Sequence, residues 1–203
     1  MHPAGPSVHV LDIESLRLSH EMTNGWDDKH RFGVAVCAIL DVPTSAWHVF
    51  SEKPVAGCED LRSLFEFVER CRALGCTLIG HNIVNFDWTV LAGEFEARGY
   101  VPDWRSYGPG RMRLVDTLLS LYQFLGYRPS LEQLAQHNLG ESKAMMSHDA
   151  PTRWREGRLE EVVNYCKDDV EKTYKIWKIG REKGRVVVEK RWPEGERAVE
   201  VEW

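Results

Sequence analysis

The sequence predicts an α/β domain built on a mixed sheet. Three observations carry this. Three strand-like runs follow one another at the front of the chain, strands then alternate with helices, and a long amphipathic stretch closes the alternation. A front meander gives an antiparallel part, and strand–helix alternation gives a parallel part with crossover helices.

The first run, "VHVLDIESL", reads as a strand over 8–14. A polar loop, "SHEMTNGWDDKH", leads from its end to a second strand at 31–40, "RFGVAVCAIL". A turn at Asp41-Val42-Pro43-Thr44 joins this to a third strand at 45–52. "CEDLRSLFEFVERCRALG" has apolar residues at 61, 64, 65 and 68 and a glycine stop, which predicts a helix. A short buried strand follows at 76–82, then a helix at 87–100. "RLVDTLLSLYQFL" begins as a fifth strand and runs into a helix. "SLEQLAQHNLG" is a short helix with Ser130 as its N-cap. Residues 158–184 form the long amphipathic helix, and "RVVVEKRWPEGERAVEVEW" alternates about Pro193-Glu194-Gly195 as a terminal β-hairpin. The expected organisation is therefore one domain over 1–184, a five-stranded mixed sheet flanked by helices, with the C-terminal β-hairpin of 185–203 packed on it.

Composition narrows the function classes. The chain has 203 residues, is 43% hydrophobic and carries a formal net charge of −5. That charge argues against broad coating of nucleic acid, which rests on many contacts from Lys and Arg to phosphate. It leaves room for an enzyme that grips a few nucleotides. No apolar stretch approaches the roughly 20 residues of a membrane span, and "MHPAGPS" lacks a basic start and an apolar run, so the expected location is cytoplasmic. Five cysteines, with no CxxC pair and no adjoining Cys or His cluster, read as free thiols of a reducing compartment.

The chemistry lies in the acids. Asp12 and Glu14 flank Ile13 and share a strand face, an unfavourable pairing of like charges unless something offsets it. Asp87 follows the strand "TLIGHN" after "IVNF", at a helix start where exposed N–H groups favour negative charge. Tyr165 and Asp169 are four apart on the long helix and share a face. Asp168 lies about 100° round from Asp169 and reads as solvated or as a support behind the acids. Each acid sits at or beside the end of an apolar element. If these ends converge, divalent cations are what would hold four carboxylates together, and an all-oxygen donor set suits Mg²⁺ or Mn²⁺ rather than zinc.

In order, Asp12-x-Glu14, "HNIVNFD" ending at Asp87, and Tyr165-x-x-x-Asp169 resemble the three motifs of the DEDD exonuclease superfamily, whose fold is ribonuclease-H-like. The tyrosine spacing resembles the DEDDy branch, which includes ribonuclease D and the proofreading domains of family-B DNA polymerases. The compact bacterial ribonuclease-H-like exonuclease domain is similar too. The DEDDh branch would place a His where Asn164 stands. The resemblance covers roughly residues 8 to 180.

It implies a 3′→5′ exonuclease acting on single-stranded nucleic acid with a free 3′ end, by a two-metal-ion mechanism with Mg²⁺ or Mn²⁺. Asp12 would be the shared ligand, Glu14, Asp87 and Asp169 would complete the set, and Tyr165 would orient the attacking water. Ile13, Ser15, Asn82 and Phe86 are the expected substrate contacts, with Lys143 the candidate phosphate contact. Phe86 and Trp88 also read as core. Asp116 is an accessory acid or a strand-end cap. "LDIES" and "NFDW" resemble the polymerase-proofreading style, which favours DNA. The alternatives are an exoribonuclease of ribonuclease D type, a silent nucleic-acid-binding domain of the same fold, and a structure-specific endonuclease. A helicase or polymerase is the expected kind of partner, with no membrane.

Overall fold

The computed structural model describes residues 7–100, 112–141, 149–191 and 194–203. Seven strands and six helices are seen among them. The strands are β1 (Val8–Ser15), β2 (Val34–Asp41), β3 (Ala46–Ser51), β4 (Thr77–Gly80), β5 (Arg113–Asp116), β6 (Arg185–Arg191) and β7 (Glu194–Glu200). The helices are α1 (Leu61–Leu74), α2 (Asp87–Ala97), α3 (Thr117–Leu125), α4 (Leu131–Leu139), α5 (Ala150–Arg155) and α6 (Leu159–Lys183).

The main sheet has the order β3-β2-β1-β4-β5. β1 pairs antiparallel with β2, and β2 with β3, while β1–β4 and β4–β5 are parallel. This is the five-stranded mixed sheet that the element order predicts, in its ribonuclease-H-like form. Strand alternation divides the core. Val10 packs with Val162, Val163 and Cys166 of α6 on one face. Leu11 and Ile13 pack with Leu64 and Val68 of α1 and with Val90 and Leu91 of α2 on the other. Asp12 and Glu14, having the parity of Val10, belong to the α6 face.

Several element ends differ from the sequence reading. The second strand begins at Val34 rather than at 31, because Gly33 turns the chain with φ 71° and residues 25–31 form a 3-10 segment. The fourth strand stops at Gly80, ahead of Asn82, whose φ of 72° no strand accommodates. Helix α5 has no counterpart in the sequence reading. Its six residues are too few to show a helical period, and it is held by Trp154, 1% exposed, which donates from Nε1 to Glu52 at 3.2 Å.

The C-terminal pair β6–β7 forms a separate two-stranded sheet. Arg191 pairs with Glu194, so Glu194 and Gly195 lie within β7 rather than in a turn. The hairpin packs on α4, where Asn138 donates to Val187 O at 2.7 Å and accepts from Val187 N at 2.8 Å. Trp203 lies against Gly180 of α6 and donates to Trp177 O at 2.9 Å. No helix among the described residues is long and apolar enough to cross a membrane.

Candidate active site

Three local features of the fold bring the acids together. β1 supplies Asp12 and Glu14 on one face. The register with β2 shifts between Glu14 and Ser15; breaks of this kind re-aim side chains at sheet ends. α6 crosses that face and brings Tyr165, Cys166 and Asp169 to it. Cys166 donates from Sγ to Asp12 O at 3.3 Å, which fixes the height of α6 over the strand.

The third feature is the turn from β4 into α2. Asp116, the last residue of β5, accepts from the backbone N–H groups of Asn82, Val84, Leu118 and Leu119, each at 3.0 Å. One buried carboxylate therefore caps α3 and clamps the loop that carries Asp87. Held this way, Asp87 starts α2 at 2% exposure and accepts the Ile13 N–H at 3.1 Å. The peptide between Asp12 and Glu14 is thus bonded to the third acid. His81 braces the same loop, its ring between Thr117 Oγ1 at 2.9 Å and Pro129 O at 3.1 Å. Burial lowers its pKa to about 4, so the imidazole is neutral. It then donates to the carbonyl and accepts from the hydroxyl.

Asp12, Glu14 and Asp169 offer oxygens that all lie within 4.8 Å of one another. They and Asp87 line an open cavity of about 560 Å³. Burial first, then the charges of Asp87, Asp169 and Glu14, raise the Asp12 pKa well above the ordinary carboxylate range. Burial likewise raises Asp87 to about 7 against the pull of its backbone N–H bonds, with Asp116 and Asp169 adding to the rise. Like charges held this close in low dielectric suit a cation, and the donors present are carboxylate oxygens, which fit a hard ion such as Mg²⁺ or Mn²⁺.

Tyr165 is 7% exposed and hydrogen-bonds Asp169. Burial, then the charges of Asp169, Glu14 and Asp12, push its phenol well above its ordinary pKa. Asp168 turns outward, its side chain 41% exposed, and pairs with Lys172 at 2.6 Å. Lys172 is itself buried, and its ammonium also lies 3.6 Å from Asp169.

Of the expected substrate contacts, Ile13, Ser15, Asn82 and Phe86 line the cavity, and Lys143 lies outside the described residues. Of the lining residues that escape the sequence reading, two offer an aromatic face and a charge. Trp26, in the 3-10 segment, is 62% exposed and sits 5.6 Å from Phe32 and 6.0 Å from Phe86, ring centre to ring centre. Arg17 lines this cavity and also the groove beside it that Lys53 and Arg155 border. A large aromatic in an otherwise polar loop directly after the acidic strand was the available signal. Arg153 and Arg158 pair with Glu161, and Arg155 pairs with Glu21.

No protein-family model matches the chain, and no curated protein sequence matches it. Among solved structures, the family B DNA polymerase from the hyperthermophilic archaeon Pyrobaculum calidifontis is similar, with a TM-score of 0.64 at 20% identity. The match covers 88% of this chain and 25% of the polymerase. At that identity the likeness establishes a shared fold, spanning about a quarter of the polymerase's length.

Proposed function

We propose that the chain is a metal-dependent 3′→5′ exonuclease of DEDDy type that hydrolyses phosphodiester bonds at the 3′ end of single-stranded nucleic acid, with DNA the favoured substrate. The observation that carries this reading is the convergence of Asp12, Glu14 and Asp169 within 4.8 Å at an open cavity that Asp87 also lines. The fold shared with part of a DNA polymerase agrees with a nucleic-acid substrate.

Asp12, Glu14, Asp87 and Asp169 would hold two divalent cations, with Asp12 as the shared ligand. Such ions, when bound, lower the pKa of a water and neutralise charge on a phosphate undergoing displacement. The chain's own residues do the rest. Tyr165 keeps its proton, since burial raises its pKa, so it acts as a hydrogen-bond donor that sets Asp169 and the water near it rather than as a base. Trp26 and Phe86 offer faces on which a terminal base can stack, and Arg17 offers a charge to the phosphate path. In this reading residues 1–184 are the exonuclease domain, the hairpin of 185–203 is an appendage on it, and a helicase or polymerase supplies the 3′ end.

The test uses 5′-labelled DNA and RNA oligonucleotides with Mg²⁺, Mn²⁺ or EDTA. A ladder that shortens from the 3′ end only with metal is expected. Binding without cleavage identifies a silent binding domain instead, and cutting of a circular strand identifies an endonuclease.

A further inference from the structure

A second group of metal-ligand side chains is buried at the other end of β1. His9, Cys71 and Cys76 each place a ligand atom within 4.8 Å of the other two. They come from three elements: the start of β1, the last turn of α1, and the residue before β4. The Cys76 N–H donates to Cys71 O at 2.9 Å, so the turn between α1 and β4 holds the two thiols as neighbours. All three side chains are sealed, at 6%, 3% and 1% exposure.

The surroundings are short of partners. His9 Nδ1 is buried and makes no hydrogen bond. Asp41, directly opposite His9 across the β1–β2 pair, has Oδ1 buried without a partner, while Oδ2 accepts from Thr44 at 2.9 Å. Its charge acts on both His9 and Cys71. Unsatisfied buried polar atoms cost about 1–3 kcal/mol each, and two of them beside a pair of thiols call for an occupant.

We propose that His9, Cys71 and Cys76 form a structural zinc site, with the fourth position open to Asp41 or a water. Sulfur and imidazole donors select zinc over the hard cations suited to the acid cavity. The charge balance fits the location. In the metal-free chain burial, foremost, holds the Cys71 thiol in its neutral form. Binding exchanges two S–H protons, released to solvent, for two Zn–S bonds, and Zn²⁺ with two thiolates and a neutral imidazole again carries no net charge. The Phe67 ring, its centre 5.3 Å from that of the His9 ring in an edge-to-face arrangement, closes the apolar side. The ion would tie the end of α1 to β1 and β4. This site stands apart from the nuclease reading, since His9 has the opposite strand parity to Asp12 and Glu14 and lies about 10 Å up the strand from Asp12.

Cobalt reports on it directly. The full chain, reduced and metal-free, is refolded with one equivalent of Co²⁺ and excess Mg²⁺. A thiolate-to-cobalt charge-transfer band in the near ultraviolet is expected, with visible bands of tetrahedral cobalt, both bleached by one equivalent of zinc. Carboxylates cannot give the thiolate band. Cys71→Ser and Cys76→Ser are each expected to diminish the band and to weaken zinc binding by at least about tenfold, the smallest loss seen even for residues that merely support a ligand. Should either variant fail to fold, alkylation of the wild type is the measurement: zinc should slow modification of Cys71 and Cys76 and leave half-buried Cys58 unchanged. Absence of the thiolate band in the wild type, its survival in both variants, or recovery of a Cys71–Cys76 disulfide without bound metal would overturn the proposal.

Discussion

Asp12 stands where three other acids act on it, and that makes it the most informative single position. Asp12→Ala should reduce metal-dependent cleavage to the level seen in EDTA, with the circular dichroism spectrum retained. Tyr165→Phe keeps the ring in its buried seat and deletes only the bond to Asp169, so turnover should fall by about 10–100-fold, the usual cost of a lost orienting partner. Equal losses in the two variants would show that Tyr165 does more than position. Trp26 is a different case, since it lies at the mouth of the cavity with most of its surface free. A stacked base is worth about 1–3 kcal/mol, so Trp26→Ala should raise KM for an oligonucleotide by about tenfold and leave kcat nearly unchanged. The acids were legible in the sequence because strand and helix periods alone place them on common faces. Trp26 was not, because its place depends on how a loop folds over the end of a strand.

At the level of elements, the site depends on two positions that no reading of the sequence singled out for this work. Asp116 looked like an accessory acid or a strand-end cap, and the structure makes it a clamp with four backbone N–H groups in its grip. Asp116→Asn presents an NH₂ group where Val84 N–H now finds an oxygen. The expected loss is about 1–3 kcal/mol in stability, measured by denaturant unfolding, with a larger fractional loss of activity because the loop also places Asp87. Gly93 is the second. A Cβ there would sit 1.7 Å from the His30 carbonyl oxygen, so α2 and the 3-10 segment touch backbone to backbone. Gly93→Ala should lower Tm and displace Trp26, visible as a change in tryptophan fluorescence. The main sheet was legible because each strand is a bounded apolar run. Helix α5 and the start of β2 were not, because a single buried tryptophan and a left-handed glycine decide them.

For the molecule as a whole, the acid cavity should make stability depend on pH and metal together. Asp87 has a folded pKa of about 7, and Asp12 is raised well above the ordinary carboxylate value, both through burial first. A carboxyl raised in the folded state contributes its full stability below the unfolded value near 4. As pH climbs through the folded value, the unfolded chain has already ionised while the folded one resists, and stability is lost. Two histidines oppose this. His81 and His9 have lowered pKa values from burial, so their contribution is complete above about 6.5 and fades as the solution becomes more acid. Exposed carboxylates with lowered values, such as Glu161 beside Arg158, act only below the usual carboxylate range. The difference between paired melting curves of metal-free protein, with and without Mg²⁺, removes the histidine and surface contributions. That difference should be small at pH 5 and grow toward pH 8 as ionised Asp87 and Asp12 gain a counter-ion. Each kcal/mol is worth about 2–4 °C in a domain of this size. Asp87→Asn should flatten the growth. A Mg²⁺ effect that is the same at both pH values in the wild type would mean that these carboxyls are not what the cation meets.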